Sequence, residues 1–191
     1  MPLDPTDPIA LLIASHDALV AGGLTVAVYG GLALAAFGTP RETRDADLAV
    51  AGLDGPLAMA ALRAAGLDVA AGFEEVRFGG NLVTRIAVLG GSDLNTVDLI
   101  LPRSPRFAAA VHERVVTGEL RGHQLRVVSP EDFVLLKILS TRDRDLEDAQ
   151  AVIDAIADQF DHAQVAREAA VLATEIADHD VTGRFSRLRG R

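Results

Sequence analysis

Cysteine and tryptophan are absent from this 191-residue chain, and tyrosine occurs once. Without cysteine the chain forms no disulfide, no cysteine-ligated zinc site and no thiol nucleophile, which fits a cytoplasmic protein. Aromatic residues make up 4% of the sequence and hydrophobic residues 49%. The hydrophobic core is therefore predicted to consist of small aliphatic side chains, and the chain is long enough to bury one of ordinary domain size.

Basic residues are also scarce. The formal net charge is −9, which argues against broad DNA binding because non-specific affinity for nucleic acid needs an excess of lysine and arginine. Arginine is concentrated in residues 103–126 and 184–191. For the first segment a solvated surface and a local basic groove stay equally open, whereas the second is predicted to be a flexible, solvated tail.

Long hydrophobic runs are missing as well. The longest uncharged stretch, residues 18–40, is interrupted by five glycines and two threonines. Its periodicity fits helices around a strand better than a membrane span, so no membrane association is expected. The first residues, MPLDPTDP, are acidic and rich in proline. They lack the basic start of a secretory signal, so no signal peptide is expected.

Periodicity and turn signals divide the chain into two parts. Before residue 129, short apolar strands alternate with helices, the first of which is predicted to start at Asp7, an N-cap followed by proline. From Ser129, a second N-cap followed by proline, the pattern is helical only. We therefore predict an α/β core over residues 1–128 and a helical segment over residues 129–191 that packs on it.

Three aspartates lie on two apolar strands, in the segments RDADLAV and NTVDLILP. Side chains two residues apart on a strand share a face, so Asp45 and Asp47 are expected to point to the same side. Carboxylates on apolar strands are costly to bury unless a cation compensates them. Together with Asp98 they are predicted to hold a divalent metal ion, while for Asp45 alone a turn cap is the competing interpretation.

A glycine pair precedes the first acidic strand. The run LTVAVYG predicts a buried strand, after which Gly30 and Gly31 open a short helix-forming stretch. Glycine lets the backbone approach a ligand, and the free N–H groups at a helix start suit phosphate. A plain chain reversal is the alternative. The G-x-G-x-x-G pattern of dinucleotide-binding folds is absent, since the next glycine is Gly38.

The loop between these glycines and the acidic strand contains two polar candidates. Arg41 is predicted either to bind phosphate through its planar guanidinium or to neutralise Asp45 or Asp47 directly. Thr43 lies in the same loop, where a turn cap is the simple alternative to a ligand contact.

The helical segment supplies two more basic candidates. Lys137 is the only lysine of the chain and lies in the apolar stretch FVLLKIL, where a snorkelling surface lysine is the alternative to a functional one. Arg142 begins the run RDRDLED, which is predicted either to help bind the ligand or to dock the helices on the sheet through ion pairs. For Asp145 and Asp148 we favour docking.

The order GG-x9-R-x-T-x-D-x-D-L, followed by the strand with Asp98, resembles the nucleotidyltransferase superfamily, and in particular the branch that contains the AbiEii-type toxins and related bacterial proteins. A second similarity lies in SPEDFVLLKILSTRDRDLEDA, residues 129–149, since that branch often has a lysine and an R-x-x-D-x-x-D run at this point. The resemblance covers residues 24–149. The chain has Gly-Gly where better-known members have Gly-Ser, so only backbone N–H groups remain for phosphate there.

The resemblance implies an α/β (α+β) fold of the nucleotidyltransferase type, in which helices flank a mixed sheet and a helical segment follows. It implies transfer of a nucleoside monophosphate from an NTP to an acceptor hydroxyl of RNA, protein or a small molecule. Two Mg²⁺ or Mn²⁺ ions would be held by Asp45, Asp47 and Asp98, and Asp98 would also serve as general base. The implied nucleotide contacts are Gly30, Gly31, Arg41, Thr43, Lys137 (at the β- or γ-phosphate) and Arg142.

The same resemblance makes the chain a candidate toxin of a toxin–antitoxin pair, with an antitoxin protein as its partner. The alternative is a nucleotide-binding or interaction module that keeps the fold and has lost transfer. The missing serine and the acidic surface favour that alternative, and the three intact aspartates oppose it.

Overall fold

The computed structural model describes residues 6–90 and 95–189. Strands and helices are mixed up to residue 127, and only helices follow. The strands are β1 (Val26–Val28), β2 (Ala46–Val50), β3 (Val69–Phe78), β4 (Asn81–Val88), β5 (Asn95–Pro102), β6 (Val116–Leu120) and β7 (His123–Val127). The helices are α1 (Pro8–Ala21), α2 (Gly30–Ala33), α3 (Gly55–Ala64), α4 (Pro105–Glu113), α5 (Pro130–Leu139), α6 (Asp143–Ile156), α7 (His162–Glu175) and α8 (Val181–Arg189). Short 3₁₀ turns, Leu34–Phe37 and Ala157–Gln159, continue α2 and α6.

Short polar side chains start most of these helices. The carboxylate of Asp7 accepts hydrogen bonds from the first N–H groups of α1, and the hydroxyl of Ser129 accepts one from the backbone of Asp132 in α5. Both predicted N-caps are therefore confirmed, and proline follows each of them. Three further helices, α3, α4 and α7, have N-caps of the same kind, namely Asp54, Ser104 and Asp161.

The seven described strands form one mixed sheet in the order β3-β4-β5-β2-β1-β7-β6. Strands β2 and β5 are parallel, as are β1 and β7, and the other neighbouring pairs are antiparallel. The predicted mixed sheet with flanking helices is thus confirmed. Its order brings β2 and β5, which are far apart in sequence, side by side in the middle of the sheet.

Helix α5 is the most deeply buried part of the helical segment, since each residue from Phe133 to Leu139 is buried. The ring of Phe133 lies 5.4 Å from that of Tyr29 and 5.5 Å from that of Phe37, measured between centroids. One continuous hydrophobic cluster contains residues from both sides of the predicted boundary at residue 128. The division of the chain at residue 128 stays a prediction.

The C-terminal arginine-rich segment differs from the prediction of a flexible, solvated tail. Residues Val181–Arg189 form α8, and the side chain of Arg184 is buried. Val181 and Leu188 are buried beside it. Within the described ranges, no helix is long and apolar enough to cross a membrane.

Candidate active site

Two neighbouring parallel strands hold the three predicted aspartates. Asp47 of β2 is the register partner of Asp98 of β5, so their side chains emerge side by side. Asp45, just before β2, accepts a hydrogen bond of 3.0 Å from the hydroxyl of Thr96, also on β5. The structure therefore brings all three carboxylates to one region of the sheet, although their role as metal ligands stays a prediction.

The glycine pair packs directly against this region. Gly30 has a φ of 68°, and a Cβ atom there would lie 1.9 Å from Oδ2 of Asp47. A Cβ on Gly31 would lie 2.8 Å from Cβ of Thr43. A side chain at either position would displace the loop or the acidic strand, and at Gly30 the left-handed backbone also disfavours other residues. Close packing against Asp47 and Thr43 is thus a reason for Gly-Gly that sequence reasoning missed.

The electrostatics of Asp47 are unfavourable to its charged form. Burial, followed by the charge of Asp98, raises the pKa of Asp47 from 3.8 to about 7, with a smaller contribution from Asp45. Lys137 and Arg142 act in the opposite direction without cancelling the effect. The Asp47 carboxylate forms no hydrogen bond or ion pair with the described residues, so this group lacks a compensating cation at bonding distance.

Asp98, by contrast, has a charged partner for both of its carboxylate oxygens. Nε of Arg85 on β4 lies 2.8 Å from its Oδ1 and Nη2 lies 2.6 Å from its Oδ2, a bidentate ion pair. Sequence reasoning missed Arg85. The available signal was a charged side chain inside the apolar strand NLVTRIAV, but its partner follows only from the pairing of β4 with β5.

The basic residues predicted to contact nucleotide form a second cluster with the aspartates of α6. Nζ of Lys137 lies 2.7 Å from Oδ1 of Asp145 and 2.9 Å from Oδ2 of Asp148, and its side chain is 2% exposed. Arg142 binds Asp145 through Nε and Nη2, and Nη2 of Arg41 lies 3.1 Å from Oδ2 of Asp148. Arg41 is thus ion-paired with Asp148 rather than with Asp45 or Asp47. This pair docks α6 on the loop before β2, as expected for Asp148, whereas the ion pairs of Asp145 lie within the helical segment.

The groups of this second cluster change the pKa values of their neighbours. Burial raises the pKa of Asp145, but Lys137, Arg142 and Ser140 outweigh it and lower that pKa to about 2. Tyr29 lies between the two clusters, since burial and then the charges of Asp145 and Asp47 raise its pKa well above 10.0. Lys137 Nζ also lies 5.3 Å from the Tyr29 ring centroid. Lys137 is therefore a buried network lysine and not the snorkelling surface residue of the alternative interpretation.

The arginines of residues 103–126 do not form a free basic groove. Arg103, Arg106, Arg114 and Arg121 pair with acidic side chains, and Arg126 donates to the backbone oxygen of His112. Of the two interpretations left open for this segment, the paired surface is the one that the described contacts favour.

Two residues near the C-terminus hold the α5–α6 turn, and the sequence analysis did not single them out. Nε of Arg184 donates to the oxygen of Ile138 at 2.9 Å, and its Nη2 donates to the oxygen of Arg142 at 2.9 Å. The His179 ring lies 3.0 Å from the same Ile138 oxygen. The spacing of Val181, Phe185 and Leu188 was an available signal for this helix.

Neither cavity geometry nor ligand geometry singles out the acidic region by itself. A cavity of about 510 Å³ lies among α6, α7 and α8 and is lined by residues such as Phe160, His162 and Leu188. Among the described residues, no group of three or more His, Asp or Glu side chains has the geometry of a metal site. The acidic region is the candidate site because of the chemistry of its three carboxylates, one of which, Asp98, is paired with Arg85.

A known protein family matches most of the sequence. Residues 13–189 match the family described as nucleotidyl transferase AbiEii toxin, Type IV TA system. No curated protein is similar enough in sequence to count as a match.

Several solved structures have a similar fold. JHP933 from Helicobacter pylori has a TM-score of 0.52 at 16% identity, over 90% of this chain and 78% of that one. ANT(2'')-Ia in complex with adenylyl-2''-tobramycin has a TM-score of 0.54 at 16% identity, over 87% of this chain and 97% of that one. An antigenic nucleotidyltransferase-like protein from Paracoccidioides brasiliensis has a TM-score of 0.52 at 18% identity, over 97% of this chain and 95% of that one. At these identities the likeness concerns the fold, whereas the family match spans most of the sequence, and the chain therefore belongs to the AbiEii family of nucleotidyltransferases.

Proposed function

We propose that the chain transfers a nucleoside monophosphate from an NTP to an acceptor hydroxyl in a reaction that needs divalent metal. The acceptor oxygen bonds to the α-phosphorus and loses its proton, and the α–β phosphoanhydride bond breaks to release pyrophosphate. The observation that carries the proposal is the in-register parallel pairing of Asp47 with Asp98, with Asp45 tied to the same strand and Gly30 packed against Asp47. Carboxylates gathered on one sheet face next to a close-packed glycine turn suit a metal–triphosphate ligand.

The donor set fits Mg²⁺ or Mn²⁺. Both ions prefer oxygen ligands, and the raised pKa of Asp47, caused by burial and by Asp98, is the expected state of a carboxylate whose cation has yet to bind. Asp45 and Asp47 are the proposed ligands, and Asp98 completes the set or accepts the proton of the acceptor hydroxyl. Two ions of this kind stabilise the attacking and leaving oxygens of a phosphoryl transfer when bound.

The nucleotide side of the site is assigned to the glycine turn and the second cluster. Backbone N–H groups of Gly30 and Gly31 suit phosphate oxygens, with Thr43 packed behind them. Arg142 is the exposed cation of the cluster, with a side chain that is 74% exposed. Lys137 and Arg41 contribute positive charge next to the triphosphate, and for Lys137 that contribution is electrostatic because its Nζ is already enclosed by two carboxylates.

The acceptor is RNA, a protein or a small molecule. The complex of ANT(2'')-Ia with adenylyl-2''-tobramycin is an example of a small acceptor in a protein of this fold. The family description supports a toxin whose partner is an antitoxin.

An inactive nucleotide-binding or interaction module is the second candidate. It is favoured by the observation that Asp98 is occupied by Arg85 and that the described residues contain no metal group of three side chains. An inactive module retains its partner when Asp47 is replaced, whereas an enzyme loses turnover.

The test is label transfer. Purified chain, Mg²⁺, α-³²P-labelled NTPs and a cell extract are incubated, and label is followed in RNA, protein and small-molecule fractions. We expect transfer that disappears with EDTA and falls at least about 10³-fold in Asp47→Asn, since that change removes a metal ligand. Asp158→Asn, at an exposed position outside the site, is the matched control and should retain activity. Absence of label from every fraction would count for the inactive module.

A further inference from the structure

A row of side chains crosses four strands from the acidic region to the edge of the sheet. Asp47 of β2 is opposite Asp98 of β5, Asp98 is opposite Arg85 of β4, and Arg85 is opposite Phe73 of β3. Directly opposed residues of neighbouring strands share a face of the sheet. Arg85 therefore lies between the carboxylates and the edge strand.

Arg85 is held from both sides. Its guanidinium makes the two short bonds to Asp98, and its Cζ lies 5.5 Å from the centroid of the Phe73 ring. Bidentate arginine–carboxylate pairs fix orientation as well as charge, and an aromatic ring beneath the guanidinium adds a cation–π contact. Both oxygens of Asp98 are committed to this pair, and its carboxylate has one defined orientation.

The other two carboxylates are not neutralised in this way. Asp45 accepts a bond only from the uncharged hydroxyl of Thr96, and Asp47 has no side-chain partner among the described residues. Asp98 and Arg85 cancel each other, which leaves the carboxyl groups of Asp45 and Asp47 without a charged partner among the described residues. A cation displaces any proton they hold, and the two carboxylates then match one divalent cation in charge.

We propose that Arg85 is a positioning residue that withholds Asp98 from the metal site before nucleotide binds. Before that, the chain holds one divalent ion, on Asp45 and Asp47, and Asp98 stays paired with Arg85. The inference rests on the proposed metal site. It adds Arg85, which is not among the site residues that the family resemblance implies.

The consequence of removing Arg85 is specific. In Arg85→Met a side chain of similar length still packs against Phe73, but Asp98 loses its partner and a third carboxylate becomes available to cations. Loss of a positive charge near the ion and gain of a ligand both strengthen cation binding. Arg85→Lys keeps the charge and should behave like the original chain.

The experiment is a Mn²⁺ titration without nucleotide, followed by electron paramagnetic resonance of free Mn²⁺. The proteins are the original chain, Asp98→Asn, Arg85→Met, Arg85→Lys and the double variant Arg85→Met/Asp98→Asn, each checked for its melting temperature. We expect one ion in the original chain and weaker binding in Asp98→Asn, because Arg85 is then an unpaired positive charge near the ion. Arg85→Met should bind a second ion or bind about tenfold more tightly, and the double variant should return to the original value.

Three results would overturn the proposal. The first is weaker Mn²⁺ binding in the double variant than in the original chain, because Asp98 would then be a ligand despite Arg85. The second is unchanged binding in Arg85→Met, and the third is an original chain that binds no Mn²⁺. If Mn²⁺ binds as expected but no label is transferred, the proposed activity fails while the role of Arg85 stands; if label is transferred but the double variant binds Mn²⁺ more weakly, the reverse holds.

Discussion

Asp47 shows how a single side chain links folding to the chemistry of the site. It lies on an apolar strand between Asp45 and Asp98, against Gly30, and it has no partner of its own in the described residues. Its raised pKa, caused first by burial and then by Asp98, means that the folded chain holds a proton there that the unfolded chain releases. A bound cation competes with that proton for the same oxygens.

The first prediction is a pH dependence that belongs to Asp47. A carboxyl group whose folded pKa is raised contributes stability below its unfolded value, near pH 3.8, and this contribution is lost as pH rises through about 7. In EDTA, the free energy of unfolding of the original chain relative to Asp47→Asn should fall by about 2 kcal/mol between about pH 5 and about pH 8. Urea titrations of both proteins measure the difference.

Magnesium provides the control for this prediction. Above about pH 7, Mg²⁺ should restore the stability of the original chain and leave Asp47→Asn unchanged, because only the former offers the carboxylate. Parallel pH profiles for the two proteins would show that Asp47 keeps an ordinary pKa.

At the residue scale, the local sequence pattern predicts which side of the strand the aspartates occupy, but it does not predict which residues pair with them. Strand alternation indicates that Asp45 and Asp47 lie on one side of their strand, and nothing more is needed to see that they require compensation. The pairing of Asp98 with Arg85, by contrast, depends on the register of β4 and β5, which is set by the fold. The enclosure of Lys137 by Asp145 and Asp148 depends likewise on how α6 folds back on α5.

At the scale of elements, the end of α5 is the best-connected point of the helical segment. The last carbonyl oxygens of a helix have no partner within it. In α5 the oxygen of Leu136 accepts from the side chain of Asn81, that of Leu139 accepts from Gly80 N, and that of Ile138 accepts from Arg184. The β3–β4 turn and α8 thus close the helix end from two directions, next to the turn that leads to Arg142.

The second prediction tests the contribution of α8 to this arrangement. In Arg184→Met the buried carbonyl oxygens of Ile138 and Arg142 lose a charged donor, so the free energy of unfolding should decrease by about 2–4 kcal/mol. Chemical denaturation is the measurement. Arg167→Met, at an exposed position of α7, is the matched control and should change stability by less than about 0.5 kcal/mol. Equal effects of the two substitutions would contradict the structural role of Arg184.

Element boundaries followed from the sequence where a local rule applies. Proline after a capping side chain fixes the start of α1 and of α5. The predicted strand before Gly30 is present but pairs only over Val26–Val28, and the helix after Gly30 continues as a 3₁₀ turn. Helix α8 was not predicted because arginines dominate its composition, and arginine is usually exposed. The burial of one of them, Arg184, depends on a hydrogen bond to a carbonyl group of another helix.

At the scale of the whole molecule, the strand order is the part that sequence patterns do not provide. Each strand can be located by its apolar alternation, but the insertion of β5 between β4 and β2 and of β1 between β2 and β7 is a property of long-range packing. The family resemblance supplied the fold where local reasoning did not. The site exists only in that order, because Asp47 and Asp98 become neighbours through it.

The last prediction concerns the two parts of the chain. Helix α5 belongs to the sequence after residue 128, yet Phe133 packs against Tyr29 and Phe37, and α5 residues belong to the same hydrophobic cluster as the sheet. Removing the helical segment exposes a large share of that cluster. The lost burial exceeds the typical net stability of a domain, about 5–15 kcal/mol. We therefore expect a chain of residues 1–128 to lack a cooperative unfolding transition.

The full-length chain offers an internal check, since Tyr29 is its only tyrosine and tryptophan is absent. Tyrosine fluorescence reports the contact of Tyr29 with Phe133, whereas far-ultraviolet circular dichroism reports the helices, many of which follow residue 128. If the molecule unfolds as one unit, the two signals share one urea midpoint. Separate midpoints, or a cooperative transition in residues 1–128 alone, would instead show that the boundary at residue 128 divides two independently folding units, and the site would then lie at their junction.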